Sequence, residues 1–157
     1  MKFYGRETCL NGHVTSHYVG SGFESRQPFC SKCGAATITD CPSCKAAQIG
    51  SPVESMGIPN KHPDAYCWKC GKPYPWTEQR LAAITEMVKE EEHLSEEDKQ
   101  LLTSSLSDLT SDSPRTALAA TRFKRIVGKT GIVFKNAMYK FLVDCTSETA
   151  KKIVMGE

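Results

Sequence analysis

Four short clusters of cysteine and histidine between residues 9 and 70 constrain the fold of this chain more than any other feature. The 157-residue chain has eight cysteines, and seven of them, together with one histidine, form these clusters. The clusters are Cys9 with His13, Cys30 with Cys33, Cys41 with Cys44, and Cys67 with Cys70. Taken in chain order, they give one set of three cysteines and a histidine and one set of four cysteines. These are the ligand sets of tetrahedral structural zinc.

The spacing has a physical basis in the tight turn. Two cysteines separated by two residues can direct both sulfurs at one cation, and a glycine after the second cysteine permits the positive φ that closes the turn. In the first cluster Asn11 and Gly12 supply turn residues before His13, so we favour His13 as the ligand, with His17 as the alternative. The remaining cysteine, Cys145, falls on an apolar helical stripe, where we expect a small core residue.

Four protein ligands leave no open coordination position, which distinguishes structural zinc from catalytic zinc. We therefore expect two structural zinc ions, with iron at the all-cysteine set as the lesser alternative. A disulfide framework is the competing interpretation. Because Met1 to Leu10 contains no apolar run typical of a secretory signal, we expect a cytoplasmic protein with reduced cysteines. No acid, base and nucleophile converge in the pattern, so we predict no enzymatic activity.

The predicted fold class is α+β, with tandem zinc ribbons followed by an antiparallel helical domain. Residues 1–76 form the ribbon unit, with a first site in 1–39 and a second in 40–76, built on treble-clef or rubredoxin-like knuckles. Lobes this small bury too little apolar surface to fold without metal. Short strands are predicted over 13–19 and 36–39, with a turn at 20–22. The segment 45–66, which includes Gly57 and Pro59, is predicted to be a loop with one short strand.

From residue 77 to 157 the sequence predicts about four helices. Apolar residues recur at helical spacing from about 78 to 92, after Thr77 as a cap. Ser95 and Asp98 resemble a capping box for a second helix. Ser113 with Pro114 is a start signal for a third helix that ends near Gly128. A last helix is predicted from about 132 to 154, where a strand at the beginning of that segment is the alternative.

Charge is divided sharply within this half. Residues 77–113 contain ten acidic and three basic residues, whereas residues 114–157 contain nine basic and three acidic ones. We expect the acidic and basic helices to lie against each other through exposed ion pairs. The alternative is that the stretch from Arg122 to Lys129 and the following helix form a basic surface for an anionic membrane or nucleic acid.

Aromatic residues crowd the last knuckle: Tyr66, Trp68, Tyr74 and Trp76. The favoured interpretation is that they cover a small core and dock the ribbons onto the helices. Exposed, they would form a stacking platform for bases or a hot spot for a protein partner.

The segment from Tyr66 to Thr77, together with Cys9 to His13 and Ser113 to Lys152, resembles the bacterial family called domain of unknown function 2321. The resemblance covers nearly the whole chain, and its most specific part is the knuckle that ends in Lys72-Pro73-Tyr74-Pro75-Trp76-Thr77. It implies a double zinc ribbon followed by helices, with the same metal ligands and no assigned activity.

These observations predict a non-enzymatic interaction module with structural zinc sites. The favoured form of this prediction is a protein-binding adaptor. The alternative is a nucleic-acid-binding ribbon, for which the loops offer basic side chains at Lys32, Lys45, Lys61, Lys69 and Lys72. An anionic membrane surface is a weaker candidate partner. The helices also permit association into homo-oligomers.

Overall fold

The computed structural model of the protein describes residues 1–23, 25–54 and 61–156. The chain divides into two compact units, which we call the ribbon unit (Met1–Glu78) and the helical unit (Gln79–Glu157). The division lies two residues beyond the predicted boundary at 76. A small antiparallel sheet precedes the helices, so the predicted α+β class is confirmed.

The sheet of the ribbon unit is organised around its first strand. The strands are β1 (Phe3–Cys9), β2 (Val14–Val19), β3 (Thr37–Ile38) and β4 (Ile49–Pro52). β1 pairs antiparallel with each of the other three. The predicted strands near β2 and β3 and the short strand in the 45–66 segment are confirmed, although Gly57 and Pro59 of that segment lie outside the described residues.

β1, the longest of the described strands, is not predicted from the sequence because its centre carries polar and charged residues. Arg6, Glu7 and Thr8 are nevertheless buried. The Arg6 guanidinium bonds the Asp64 carboxylate at 3.0 Å, and the Thr8 hydroxyl donates to the Gln48 side chain at 2.9 Å. Buried polar groups are tolerated when they are hydrogen-bonded, so these contacts allow a polar strand to form the centre of the sheet.

The buried Glu7 carboxylate has three hydrogen-bond donors around it. Its carboxylate accepts hydrogen bonds from the Thr15 hydroxyl at 2.8 Å, the Arg26 guanidinium at 3.0 Å and the Gln27 backbone N–H at 3.1 Å. Burial alone would raise the pKa of Glu7, but these donors outweigh it and lower the pKa below the ordinary value. The carboxylate thereby ties the 26–27 segment to β1.

We expect Glu7→Gln to destabilise the ribbon unit by about 2 kcal/mol, because the neutral amide loses charge-assisted bonds and brings a buried NH₂ toward other donors. The pH dependence has a definite sign. Since folding lowers the pKa of Glu7, its contribution is complete above the unfolded value and is lost as the pH falls through the folded value. Urea unfolding at pH 7 and in mild acid checks both points. A Glu7→Gln variant as stable as the wild type at pH 7 would contradict this role.

The described residues contain five helices, not the predicted four. They are α1 (Pro75–Glu90), α2 (Glu96–Leu109), α3 (Thr116–Val127), α4 (Ile132–Cys145) and α5 (Glu148–Met155). The predicted last helix is broken because Thr146 is extended and the Ser147 side chain caps a new helix by accepting from the Ala150 N–H. Ile132 begins a helix, so the alternative of a strand there is wrong. In the described part of the chain no helix has the length and apolar content needed to cross a bilayer.

Two of the predicted helix starts need correction. Thr77 does not cap α1: the helix begins at Pro75, and the Thr77 hydroxyl donates to the Ala65 carbonyl instead. Proline suits the first helical position because its fixed φ is already helical. The signal at Ser113 forms a turn, and α3 begins later, at Thr116. The predicted Ser95 cap of α2 is confirmed, with its side chain accepting from the Asp98 N–H.

The helical unit has an apolar core of its own, in which α3 packs against α2, α4 and α5. Phe123 and Leu142 are fully buried in it, and Cys145 lies half-buried at its edge, as predicted. The expected ion pairs between acidic and basic segments are present. Asp108 bonds Arg115 at 3.0 Å and Asp98 bonds Lys129 at 2.7 Å. Both pairs are partly exposed, so each adds little to stability.

Candidate metal centres

The first centre lies where the end of β1 meets the turn after residue 29. One ligand atom from each of Cys9, His13, Cys30 and Cys33 lies within 4.8 Å of every other. The His13 Nδ1 atom is 3.5 Å from the Cys9 sulfur and 3.7 Å from the Cys30 sulfur. The sulfurs of Cys9 and Cys33 are 3.7 Å apart. The fold thus brings the first predicted set together.

The second centre has the same form with four sulfurs. The ligand atoms of Cys41, Cys44, Cys67 and Cys70 also lie within 4.8 Å of one another. The Cys41 and Cys70 sulfurs are 3.8 Å apart, and those of Cys44 and Cys67 are 3.7 Å apart. In both centres two members are buried, one is half-buried and one is exposed.

These separations fit a tetrahedral metal and exclude disulfides. With a Zn–S bond of about 2.3 Å, two sulfurs on a tetrahedron lie about 3.8 Å apart, and a sulfur and an imidazole nitrogen lie about 3.6 Å apart. A disulfide would bring two sulfurs to about 2.05 Å. None of the eight cysteines forms a disulfide. The competing prediction of a disulfide framework is therefore wrong.

The three Cys-x-x-Cys knuckles share one backbone pattern. In each, the N–H of the residue after the second cysteine donates to the carbonyl of the first, and the N–H of the first cysteine donates to the carbonyl five residues on. The first bonds are Gly34 to Cys30, Lys45 to Cys41 and Gly71 to Cys67; the second are Cys30 to Ala35, Cys41 to Ala46 and Cys67 to Lys72. The turn fixes both sulfurs of a knuckle from one short segment.

The pattern requires a positive φ at the residue after the second cysteine. Gly34 and Gly71 have φ values of 73° and 71°, whereas Lys45 occupies the equivalent position with φ 61°. A side chain in this region costs roughly 1–2 kcal/mol, which glycine avoids. The knuckle of Cys41 and Cys44, which has Lys45 at this position, therefore forms at a conformational cost that the other two do not have.

This comparison gives a matched pair of variants. We expect Gly71→Ala to destabilise the ribbon unit by about 1 kcal/mol, because a Cβ there meets no atom within 4 Å and only backbone strain is added. Lys45→Gly should leave stability unchanged or raise it. Urea unfolding of the metal-loaded variants measures both, and equal losses from the two substitutions would contradict this account of the turns.

Nearly the whole chain is similar to a bacterial protein family. A family model described as an uncharacterized protein conserved in bacteria (DUF2321) matches residues 2–154. The chain belongs to the DUF2321 family. The matched range contains all eight residues of the two ligand sets and reaches into α5, so it includes residues of both units. No curated protein and no solved structure matches the chain.

The electrostatics of the DUF2321 centres favour a cation. A bond from the Ala35 backbone N–H, above all, lowers the pKa of the Cys33 thiol to about 6. In the second centre, a bond from the Cys70 backbone N–H is the main cause that lowers the pKa of the Cys67 thiol to about 6. Although a backbone bond opposes it, burial with three other thiols raises the pKa of Cys44 to about 11. A bound cation would offset the repulsion among four thiolates whose sulfurs lie within 4.8 Å of one another.

Of the four aromatic residues at the last knuckle, Tyr74 and Trp76 are buried, Tyr66 is half-buried and Trp68 is exposed. Tyr74 and Trp76 are buried and stacked, with ring centroids 4.6 Å apart, and they pack with Cys41 and Cys67 in the small core of the second centre. The predicted core role therefore holds for these two. Trp68 is 62% exposed, and its indole N–H donates to the Ala47 carbonyl at 3.0 Å.

His17, the alternative ligand in the sequence analysis, lies on β2 outside both ligand sets. Its Nδ1 atom is buried and has no hydrogen-bond partner among the described residues. Burial, with the nearby Arg6 charge, lowers the pKa of His17. His13 therefore completes the first set.

Proposed function

We propose that this chain is a non-enzymatic, protein-binding module whose ribbon unit is held by two structural zinc ions. The observation that supports it most is the presence of two complete sets of four ligand atoms, each set within 4.8 Å. A complete set leaves no position for substrate or activated water. A cytoplasmic location belongs to the same proposal, because thiolate ligands need a reducing compartment.

The residues that would hold the metal are those of the two sets, and zinc suits them better than iron. Zinc accepts both three cysteines with a histidine and four cysteines, so one metal serves the two centres. When bound, the ion balances the thiolate charge and cross-links the two knuckles of a set. The second centre needs this link, since only five buried hydrophobic residues, two of them ligands, make up its core.

Trp68 is the best candidate contact for a protein partner. Tryptophan is enriched among residues that dominate interface energies, and Trp68 exposes most of its ring. The bond from its indole to the Ala47 carbonyl already restrains the side chain. Binding would then lose less conformational entropy than it would with a free side chain.

A specific observation also supports the second candidate, a nucleic-acid ribbon. The exposed side chains of Lys45, Lys69 and Lys72 lie at the two knuckles of the second centre, and Trp68 lies in one of these knuckles, so an exposed aromatic ring and positive charge occur in the same centre. Bases stack on aromatic rings, while lysines neutralise phosphates. Such binding must weaken steeply as salt rises.

The test uses the full-length protein as bait in a bacterial lysate, with Trp68→Ala as the variant and Phe23→Ala as the control. Phe23 is 96% exposed but is not part of either knuckle of the second centre. We expect a protein that the wild type and Phe23→Ala retain and that Trp68→Ala loses. Binding of poly-dT oligonucleotide that falls steeply between 50 and 200 mM salt, on the order of tenfold or more, would instead favour the nucleic-acid ribbon. Identical capture by all three baits would contradict the proposed surface.

A further inference from the structure

The helical unit exposes an apolar projection beside a row of carboxylates. Ile132 and Val133, the first two residues of α4, are 69% and 81% exposed. They line a cavity of about 380 Å³ together with the glutamates at 90–92. Large apolar side chains at such exposure indicate an interaction site when they are contiguous and bordered by charge.

The acidic side of this surface places three carboxylates at the end of α1, where Lys89 in the last turn and the Lys99 ammonium, which donates to the Lys89 carbonyl, supply the nearby positive charge. Glu90 is the last residue of α1, and Glu91 and Glu92 follow it directly. The carboxyl end of a helix carries partial negative charge and favours cations, so three glutamates there repel both the helix and one another. Glu91 is compensated by its contacts with His93. Glu90 and Glu92 are exposed and keep their charge available.

A second surface of the same unit has the opposite character. Leu101 on α2 and Leu118, Thr121, Arg122 and Arg125 on α3 line a cleft of about 360 Å³. The α3 residues recur at spacings of three and four, which places them on one helical face. Leu118 is 45% exposed. The result is an apolar cleft bordered by two guanidinium groups.

None of the ion pairs between described residues involves Glu90, Glu92, Arg122 or Arg125. The four charges are therefore available to another molecule. Opposite charges flank an apolar projection on one surface and an apolar cleft on the other. These are complementary features of one chain, and they lie at different places on it.

We propose that the protein self-associates head to tail: Ile132 and Val133 of one copy enter the α2–α3 cleft of the next, where Glu90 and Glu92 meet Arg122 and Arg125. Because the two surfaces differ, the contact is heterologous and leaves one surface free at each end of a dimer. Association should continue beyond the dimer as concentration rises. Since exposed charges set the pairing, it should also weaken with salt.

Sedimentation velocity of the full-length, metal-loaded protein tests this at low and high salt over a range of concentrations. Two charge-swap variants, Glu90→Arg/Glu92→Arg and Arg122→Glu/Arg125→Glu, should each associate at least about tenfold more weakly, because like charges then meet. An equimolar mixture of the two should recover association, since each presents the surface that the other lacks. Ile132→Ser/Val133→Ser, at exposed positions that the fold tolerates, should weaken association without charge reversal.

Each outcome decides the proposal. A wild-type chain that stays monomeric at low salt up to several hundred micromolar overturns it. So does association that the swaps and Ile132→Ser/Val133→Ser leave unchanged, because another surface is then responsible. Circular dichroism establishes that each swap variant is folded, and failure of two folded swap variants to associate when mixed also overturns it. Recovery in the mixture supports it, because a folding defect in either variant could not produce that result.

Discussion

Removal of both metal ions by a strong chelator is expected to unfold the ribbon unit while the helical unit keeps its structure. Structural zinc contributes about 10–16 kcal/mol of apparent binding free energy in zinc-finger peptides. The total stability of most small domains is about 5–15 kcal/mol, so loss of a zinc ion removes an amount as large as the whole stability of such a domain. The ribbon unit has only a small buried cluster to replace that contribution. The helical unit has 17 buried hydrophobic residues in one core.

Amide NMR spectra recorded before and after chelation measure this directly. Resonances of residues 1–74 should collapse toward the random-coil region, while those of α2 to α5 should stay dispersed. Readdition of zinc under reducing conditions should restore the spectrum, which serves as the control for irreversible damage. A ribbon unit that keeps its dispersed resonances without metal would contradict the proposed role of the two ions.

Trp76→Ala is expected to have the second-largest effect, a loss of about 3–5 kcal/mol in the stability of the ribbon unit. Trp76 is 1% exposed and stacks on Tyr74 with an angle of 14° between the rings. Its indole N–H also donates to the Asp64 carbonyl at 2.9 Å. The substitution removes the largest side chain in the core of the second centre and leaves a cavity.

The chain offers a matched control, because it has only two tryptophans. Trp68→Ala removes the same side chain from an exposed position and should change stability by less than about 1 kcal/mol. Urea unfolding of both metal-loaded variants gives the comparison. Similar losses from the two substitutions would show that the burial of Trp76 does not stabilise the second centre as described here.

The metal sets were predictable from sequence because their signal is local. A Cys-x-x-Cys turn determines where its two sulfurs point within five or six residues, so spacing alone indicates which residues converge. The cap at Ser95 was predictable for the same reason, since its bond reaches only to the Asp98 N–H. Where a short segment determines its own geometry, sequence patterns are sufficient.

β1 and the number of helices were not predictable, because longer-range contacts determine them. Glu7 is buried only because Arg26 and Gln27 come from a distant segment to meet it. The break between α4 and α5 follows from Ser147, whose N–H donates to the Leu109 carbonyl of α2 at 2.8 Å. Helical periodicity continues across that break, so the pattern alone indicated one helix. The division of the aromatics into buried Trp76 and exposed Trp68 also depends on packing.

The most direct test of the central claim is the metal content of the reduced, full-length protein by native mass spectrometry. The two ligand sets predict a mass increment of two zinc ions per chain, lost together with protection of the seven clustered thiols when a chelator is added. Fewer than two metal ions per chain in gently prepared protein, or a mass showing disulfides among the clustered cysteines, would contradict the account.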